Sequence, residues 1–318
     1  MRHVFIINPV AGKRRDRRAL LSKIERAFPK GGYEVFTTLG AGDARDITQR
    51  VVQDGKPARI YACGGDGTLN EVANGAAGCS YVAITNVPTG TGNDFLRVFG
   101  KKGRARFEDI AALRDGPQSP LDLIDCNGYL GIDVVCIGID ARTGAGVHRY
   151  KQYPLVSGAG AYVLSLVENV FKGITRHMKV SMGPYQYAGL TALLCVCNGR
   201  HYGGGFCPMP EAIPDDGVLD MMMIQDVGLL KLGQYLKKYS TGHYKELPPE
   251  IVKSWHGDSV DVELSGEGGA IVDGELVEGN TFHICLSDKK VNFFRPADVS
   301  YEVLVGEEEK KEEAGATL

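Results

Sequence analysis

Read as a string of apolar and polar positions, the chain divides into two parts of different period. Up to Leu121, short apolar runs alternate with stretches of helical spacing, the pattern of a mostly parallel sheet covered by helices. Arg2–Asn8, Tyr33–Thr38, Arg59–Cys63 and Tyr81–Asn86 are the predicted strands. Between them, Asp16 can cap a helix that puts Leu20, Leu21, Ile24, Ala27 and Phe28 on one face, and Ala44–Gln53 and Thr68–Gly75 supply further helices. After Leu121 the runs are short, rich in Val, Ile, Leu and Tyr, and separated by Gly, Pro and Asp turns, as an antiparallel sandwich requires. Leu190–Cys197, Val218–Ile224, Val260–Leu264 and Thr281–Leu286 are examples, interrupted by predicted helices at Gly160–Lys172 and Leu229–Ser240. The expected organisation is an α/β domain over residues 1–124, a β-sandwich over 125–296 and a segment 297–318 whose Glu/Lys-rich end lacks apolar period and is expected to be disordered.

Length agrees with two domains: 318 residues exceed the roughly 250–300 at which single cores stop growing. The 43% hydrophobic content is that of a folded globular chain, and no run reaches the ~18 apolar residues that span a bilayer. The apolar start, Val4-Phe5-Ile6-Ile7, is shorter than a secretory core and leads into charge without a small-residue cleavage site, so a cytoplasmic protein is expected. Eight cysteines, at 63, 79, 126, 136, 195, 197, 207 and 285, form no C-x-x-C pair and read as buried thiols, not zinc ligands or disulfides. The formal charge of −3 is carried by Gly306–Leu318, with five Glu and two Lys. In the formally neutral remainder, Lys13, Arg14, Arg15, Arg17, Arg18, Lys23 and Arg26 crowd into one stretch. Such a stretch is either a patch for anionic membranes or phosphate, or a solvated helix face.

Chemistry concentrates in the turns. Cys63-Gly64-Gly65-Asp66-Gly67-Thr68 ends a predicted strand and opens a helix, so its glycines let backbone N–H groups approach a phosphate. Pro88-Thr89-Gly90-Thr91-Gly92-Asn93-Asp94 repeats the arrangement after the next strand, and Asn8-Pro9-Val10-Ala11-Gly12-Lys13 makes a third polar turn on the same edge. Neither glycine turn is a Walker A loop or a dinucleotide fingerprint. Three loops at the carboxyl ends of parallel strands describe a nucleotide site. Asp66 and Asp94 lie where magnesium, a hard ion, would bridge triphosphate oxygens, and both also suit helix capping. In the second half, Val272-Asp273-Gly274-Glu275 reads as a tight hairpin thrusting two carboxylates outward, either of them a candidate general base. Pro214-Asp215-Asp216-Gly217 is a plain turn or a structural cation site. His148, His201, His243 and His256 have no ligand spacing.

These pieces, taken in order, resemble the diacylglycerol kinase catalytic family, related to sphingosine and ceramide kinases and more distantly to NAD kinases. The resemblance rests on Asn8-Pro9 with Gly12, Gly64 to Val72 with Asn74-Gly75, and Pro88 to Phe95 with Arg97. It continues through Asp122, Gly138-Ile139-Asp140-Ala141, Asn198-Gly199, Gly203-Gly204-Gly205, Asp215-Asp216-Gly217 and Val272 to Glu275, and covers roughly Arg2 to Pro296. It implies a Rossmann-like three-layer α/β domain and an antiparallel β-sandwich with the active site in the cleft between them, the chain's end returning to the first domain. It implies that Asn8, Thr68 and the glycines of both loops (Gly64, Gly65, Gly67, Gly90, Gly92), with Thr91 and Asn93, contact ATP. It further implies that Asp66, Asp94 and Asp122 form a magnesium-linked network, that Glu275, alone or with Asp273, is the base, and that Asp216 with the carbonyls of Ile213 and Val218 holds a structural magnesium. Asp133 stands where the family usually has Asn, and Cys136 where it often has Ser.

The expected function is therefore transfer of phosphate from ATP, with Mg2+, to a lipid hydroxyl at a membrane approached peripherally from the cytoplasm. Diacylglycerol is the first candidate, with phosphatidylglycerol, a sphingoid base or an isoprenoid-type alcohol as alternatives. The basic stretch and exposed apolar residues near Phe206 and Met209 are expected to make the membrane contact. NAD kinase shares the Gly-Gly-Asp-Gly-Thr element, but the Asn-Asp-Phe turn and the Asp-Gly-Glu hairpin argue against it. A lipid-binding regulator without activity is opposed by the occupancy of every expected acidic position. A homodimer is implied by the resemblance, and no nucleic-acid partner is expected.

Overall fold

The computed structural model describes residues 1–12, 14–90, 92–138, 175–226, 237–266 and 268–302, together with Lys231 and Tyr235. The expected helix Gly160–Lys172, His148, the Ile139-Asp140-Ala141 element, the Glu/Lys-rich end, Lys13 and Thr91 lie outside these residues, as do the side chains of Arg14, Arg15 and Asp16. Of the expected helix Leu229–Ser240, Lys231, Tyr235 and residues 237–240 are described, and all are helical.

Strands β1 (Arg2–Ile7), β2 (Tyr33–Thr37), β3 (Ala58–Gly64) and β4 (Val82–Pro88) alternate with helices α1 (Arg14–Ala27), α2 (Asp43–Gln53) and α3 (Asp66–Ala76). They pair in parallel in the order β2-β1-β3-β4. Val4–Ile7, Ile60–Gly64 and Val82–Val87 are buried throughout, because helices cover both faces and leave no side of a strand to water. From β1 the chain moves to one side for β2 and then to the other for β3. The loops after β1 and β3 therefore diverge, and the crevice between them is where such sheets bind ligands.

A 3-10 turn (Phe95–Phe99), α4 (Gly100–Arg106), α5 (Ile110–Asp115) and β5 (Gln118–Leu121) complete this part of the chain. Among the described residues the second sheet holds eleven strands, β6 (Ile124–Cys126), β7 (Tyr129–Gly131), β8 (Val134–Gly138), β9 (Arg176–Met182), β10 (Tyr185–Cys197), β11 (Leu219–Gln225), β12 (Val252–Gly257), β13 (Ser259–Leu264), β14 (Gly269–Val272), β15 (Glu275–Glu278) and β16 (Thr281–Leu286). Every pairing in it is antiparallel. Alternation divides the side chains. Val135, Ile137, Leu194, Val196, Met221, Met223, Val262 and Phe282 share one core, while Cys136, Cys195, Cys197 and Met222 face a second core with Met209, Tyr239 and Tyr244.

The chain returns to the first sheet earlier than the sequence suggested. β17 (Val291–Phe294) inserts between β4, in parallel, and β5, antiparallel. Its aromatic residues complete the first core: Phe293 packs against Phe95, Phe99 and Phe107, and Phe294 lies edge-on to Tyr61 with the Arg59 guanidinium over its face. Met209 is fully buried and so is not part of an exposed membrane-facing surface as expected, while Phe206 is half-buried and packs against the second core. Because Phe293 is 1% exposed among three other rings, Phe293→Ala should cost about 3–5 kcal/mol. Urea unfolding should show this as a lower midpoint with an unchanged slope.

Candidate active site

Two glycine turns meet backbone to backbone. The carbonyl of Gly64 accepts the N–H groups of Thr89 (3.2 Å) and Gly90 (3.1 Å), and a Cβ on Gly90 would come within 2.6 Å of Gly65 Cα. No residue with a side chain fits there without separating the loops. The contact carries the chain after β4 across the start of α3, where Asp66 Oδ1 accepts the N–H of Asp94 at 2.6 Å and of Phe95 at 3.4 Å. Gly92 faces the remaining oxygen: a Cβ there would lie 2.6 Å from Asp66 Oδ2 and 3.9 Å from Asp94 Oδ2. From the first turn, Asn8 Nδ2 donates to Thr68 Oγ1 at 3.1 Å, and Arg104 reaches from α4 to the Gly92 carbonyl at 2.8 Å. Asn93, in the left-handed region (φ 52°), is buried and donates through Nδ2 to the Gly90 carbonyl at 2.8 Å.

Asp94 is held from both halves of the chain. Its Oδ1 accepts Arg97 Nε at 2.8 Å and its Oδ2 accepts the N–H of Gly204 at 2.6 Å, while Arg97 Nη2 donates to the Gly204 carbonyl at 3.3 Å. Gly203, Gly204 and Gly205 all take positive φ, a strap that side-chain-bearing residues rarely form. Burial, and then the neighbouring Asp94 charge, push the Asp66 carboxyl up to about 6. Asp66 Oδ2 carries no hydrogen bond among the described residues. Two carboxylates beside one glycine, one with an uncommitted oxygen and a raised proton affinity, fit a hard divalent cation.

The hairpin of β14 and β15 is the two-residue type expected of Asp-Gly, with φ 47° at Asp273 and 96° at Gly274. Its carboxylates differ from the expectation that both point outward. Asp273 turns inward, Oδ2 accepting from Asn70 Nδ2 (2.8 Å) and the N–H of Ile132 (2.6 Å), Oδ1 from the N–H groups of Asp133 (3.1 Å) and Val134 (3.0 Å). Glu275 is exposed. Asp273 thus joins α3, the β7–β8 connection and the hairpin, with both oxygens already occupied.

Asp122 is not in hydrogen-bond or ion-pair contact with Asp66 or Asp94. Its Oδ2 accepts the N–H of Gly217 at 2.8 Å, and Lys290 Nζ lies 2.6 Å from Oδ1. Asp216, beside it, accepts the N–H of Val218 at 3.0 Å and donates its own N–H to the Ile213 carbonyl at 3.4 Å. A further carboxylate, Asp133, feels the charges of Asp273, Asp66 and Asp94. It is buried, its Oδ1 has no hydrogen-bond partner among the described residues, and a side chain on Gly199 would collide with it. Burial, followed by the charges of Asp273, Asp66 and Asp94, raises its carboxyl far above the usual range. The direction of that shift favours the neutral acid, whose shape and polarity match the Asn usual in the resemblance. The signal for it was that departure. His201 is also held neutral, down to about 4 by burial and by Arg97.

An α/β half with paired glycine turns, joined to an antiparallel β half through hydrogen-bonded carboxylates, is the architecture of a known class. Residues 2–126 match the diacylglycerol kinase catalytic domain, and residues 133–284 match the YegS C-terminal NAD kinase beta sandwich-like domain. A YegS-like lipid kinase of Pseudomonas fluorescens is 31% identical over 281 residues, 83% of this chain and 86% of that protein. One of Pseudomonas aeruginosa is 34% identical over 200 residues, and that match spans 60% of this chain and 62% of its length. The solved structure of a diacylglycerol kinase from Bacillus anthracis superposes with a TM-score of 0.69 at 22% identity, covering 94% of this chain and 98% of the other. The chain belongs to the YegS-like family of diacylglycerol kinase-related proteins.

The raised Asp66 carboxyl has a consequence for pH. Its folded value near 6 lies above its ordinary value of 3.8, so the folded state holds the extra proton and is favoured at low pH, and that advantage is lost as pH rises from about 4 through 6. Asp66→Asn, which keeps an acceptor for the Asp94 N–H, should stabilise the metal-free protein on the order of 2 kcal/mol at pH 8 and leave it unchanged near pH 4. Denaturant titrations at the two pH values measure this.

Proposed function

We propose that the chain transfers the γ-phosphoryl group of ATP to a lipid hydroxyl, with diacylglycerol as the first candidate acceptor. The observation that carries this reading is the Asp66/Asp94 pair set between two glycine turns in backbone contact, because phosphoryl transfer asks mainly for positioning and charge neutralisation. The first amides of α3 and those of the second turn are the donors for phosphate oxygens, and the helix N-terminus adds its positive end. Asn8 and Thr68 fix the first turn against the second. Asp66 and Asp94 would hold a magnesium ion, which when bound would supply positive charge to neutralise the triphosphate. Glu275, exposed at the tip of the hairpin, is the general base that takes the acceptor's proton. Asp273 is its positioning residue, since four donors already hold its carboxylate. Family membership supports the reaction class, and the matched catalytic domain supports diacylglycerol over other hydroxyl lipids.

The reaction takes place at a bilayer. Among the described residues no helix is long and apolar enough to cross one. Arg17, Arg18 and Arg26 are exposed on α1 and provide a positively charged approach to anionic lipid.

Labelled γ-phosphate from ATP, offered with a panel of micellar lipids, should appear in phosphatidate. Asp66→Ala and Glu275→Gln should each reduce the rate at least about 100-fold, the usual size of a lost metal ligand or base. Labelling of a different lipid would replace the acceptor, and no labelling of any lipid would overturn the reaction. Sedimentation with anionic vesicles should show binding that weakens with added salt and falls further in a double Arg17→Glu, Arg18→Glu variant. Binding indifferent to salt would remove α1 from this role.

A further inference from the structure

Asp122 sits at the seam of the two sheets, one residue past β5, with its side chain 3% exposed. Its N–H donates to the Pro214 carbonyl and its own carbonyl accepts Asn198 Nδ2, both at 2.9 Å. With Gly217 on Oδ2, three bonds tie it to the 213–217 loop and the end of β10. A carboxylate so enclosed requires a counter-charge, because an unpaired buried charge is among the costliest features a fold can carry. The charge comes from the ladder itself. β5 and β17 pair with Leu121 opposite Val291, so the next antiparallel positions outward are Asp122 and Lys290, and the Lys290 ammonium lies 2.6 Å from Asp122 Oδ1.

This bears on the structural magnesium that the family resemblance implies next door, at Asp216 with the carbonyls of Ile213 and Val218. The residues present do not call for that ion. Asp216 is exposed and its Oδ1 accepts the Val218 N–H, while the Ile213 carbonyl accepts the Asp216 N–H. The enclosed carboxylate beside it already meets an ammonium, and a divalent ion placed against that ammonium would be repelled. We propose that Lys290 is the built-in cation of the domain junction, holding Asp122 and the 213–218 loop in place so that the seam needs no metal. Any divalent-ion requirement of the chain then falls on Asp66 and Asp94.

Thermal unfolding of the full chain tests this with a readout independent of activity. Wild type, Lys290→Met and Lys290→Arg are each melted in EDTA and in excess MgCl2, and the series is repeated with Asp66→Asn to remove ion binding at the glycine turns. Lys290→Met should melt lower by roughly 5 °C in EDTA. Mg2+ should restore part of that loss, in both backgrounds, by more than it raises the matching Lys290 protein. Lys290→Arg should stay near wild type. If Lys290→Met is unfolded in EDTA, its circular dichroism with and without Mg2+ reads the same recovery. A Lys290→Met protein that melts like wild type, or that melts lower and gains nothing extra from Mg2+, overturns the proposal. So does a wild-type seam, in the Asp66→Asn background, that is itself destabilised by EDTA.

Discussion

Everything at the candidate site depends on how closely two stretches of main chain approach. The turn after β3 and the turn after β4 touch through Gly64, Gly65 and Gly90, with a carbonyl of one bonded to two N–H groups of the other. That contact sets the distance from Asp66 to the N–H of Asp94, and thereby brings two carboxylates into one low-dielectric space. Burial there, and then the neighbouring Asp94 charge, disfavours ionisation of Asp66. The site is thus built with negative charge in excess, a state that a cation and the amides around a triphosphate would relieve. Glycine is required here for approach and not for flexibility.

The second constraint is the inward carboxylate of Asp273. In the unfolded chain its four donors are far away in sequence, at Asn70 and at residues 132–134. Once folded, they draw the start of β8 and the polar face of α3 onto the hairpin, with Asn70 and Asn74 both donating to the Leu130 carbonyl. The exposed Glu275 inherits a fixed base from this arrangement. The Gly203–Gly205 strap provides a second link, carrying a backbone N–H from the second sheet to Asp94. Asp122 with Lys290 provides a third. Three carboxylates, each engaged by groups distant in sequence, hold the two halves together, and Asp94 and Asp122 are buried because they are satisfied.

Much was legible before folding. The apolar runs of β1, β3 and β4 and the faces of α1 and α2 are local patterns of period two or period 3.6, set by the residues themselves. The glycine turns, the Asp-Gly hairpin and the order of acidic residues are short-range signals too. The runs Val291-Asn-Phe-Phe and Met209 carried no such information. Whether an apolar stretch joins the nearer sheet or the farther one, and whether a methionine near a Gly-rich loop lies inside or outside, depends on what packs against it.

The sequence by itself determined the element types, the two-part architecture and the turns that bear the chemistry, because those follow from side-chain periodicity and from backbone angles open chiefly to glycine. Only the tertiary structure decided which carboxylates share a space. It grouped Asp66 with Asp94, buried Asp133 within reach of their charge, turned Asp273 inward and gave Asp122 to Lys290. An aspartate is the same residue in a string whether it meets an ammonium, a row of amides or another carboxylate, and burial with neighbouring charge is what makes these five chemically different.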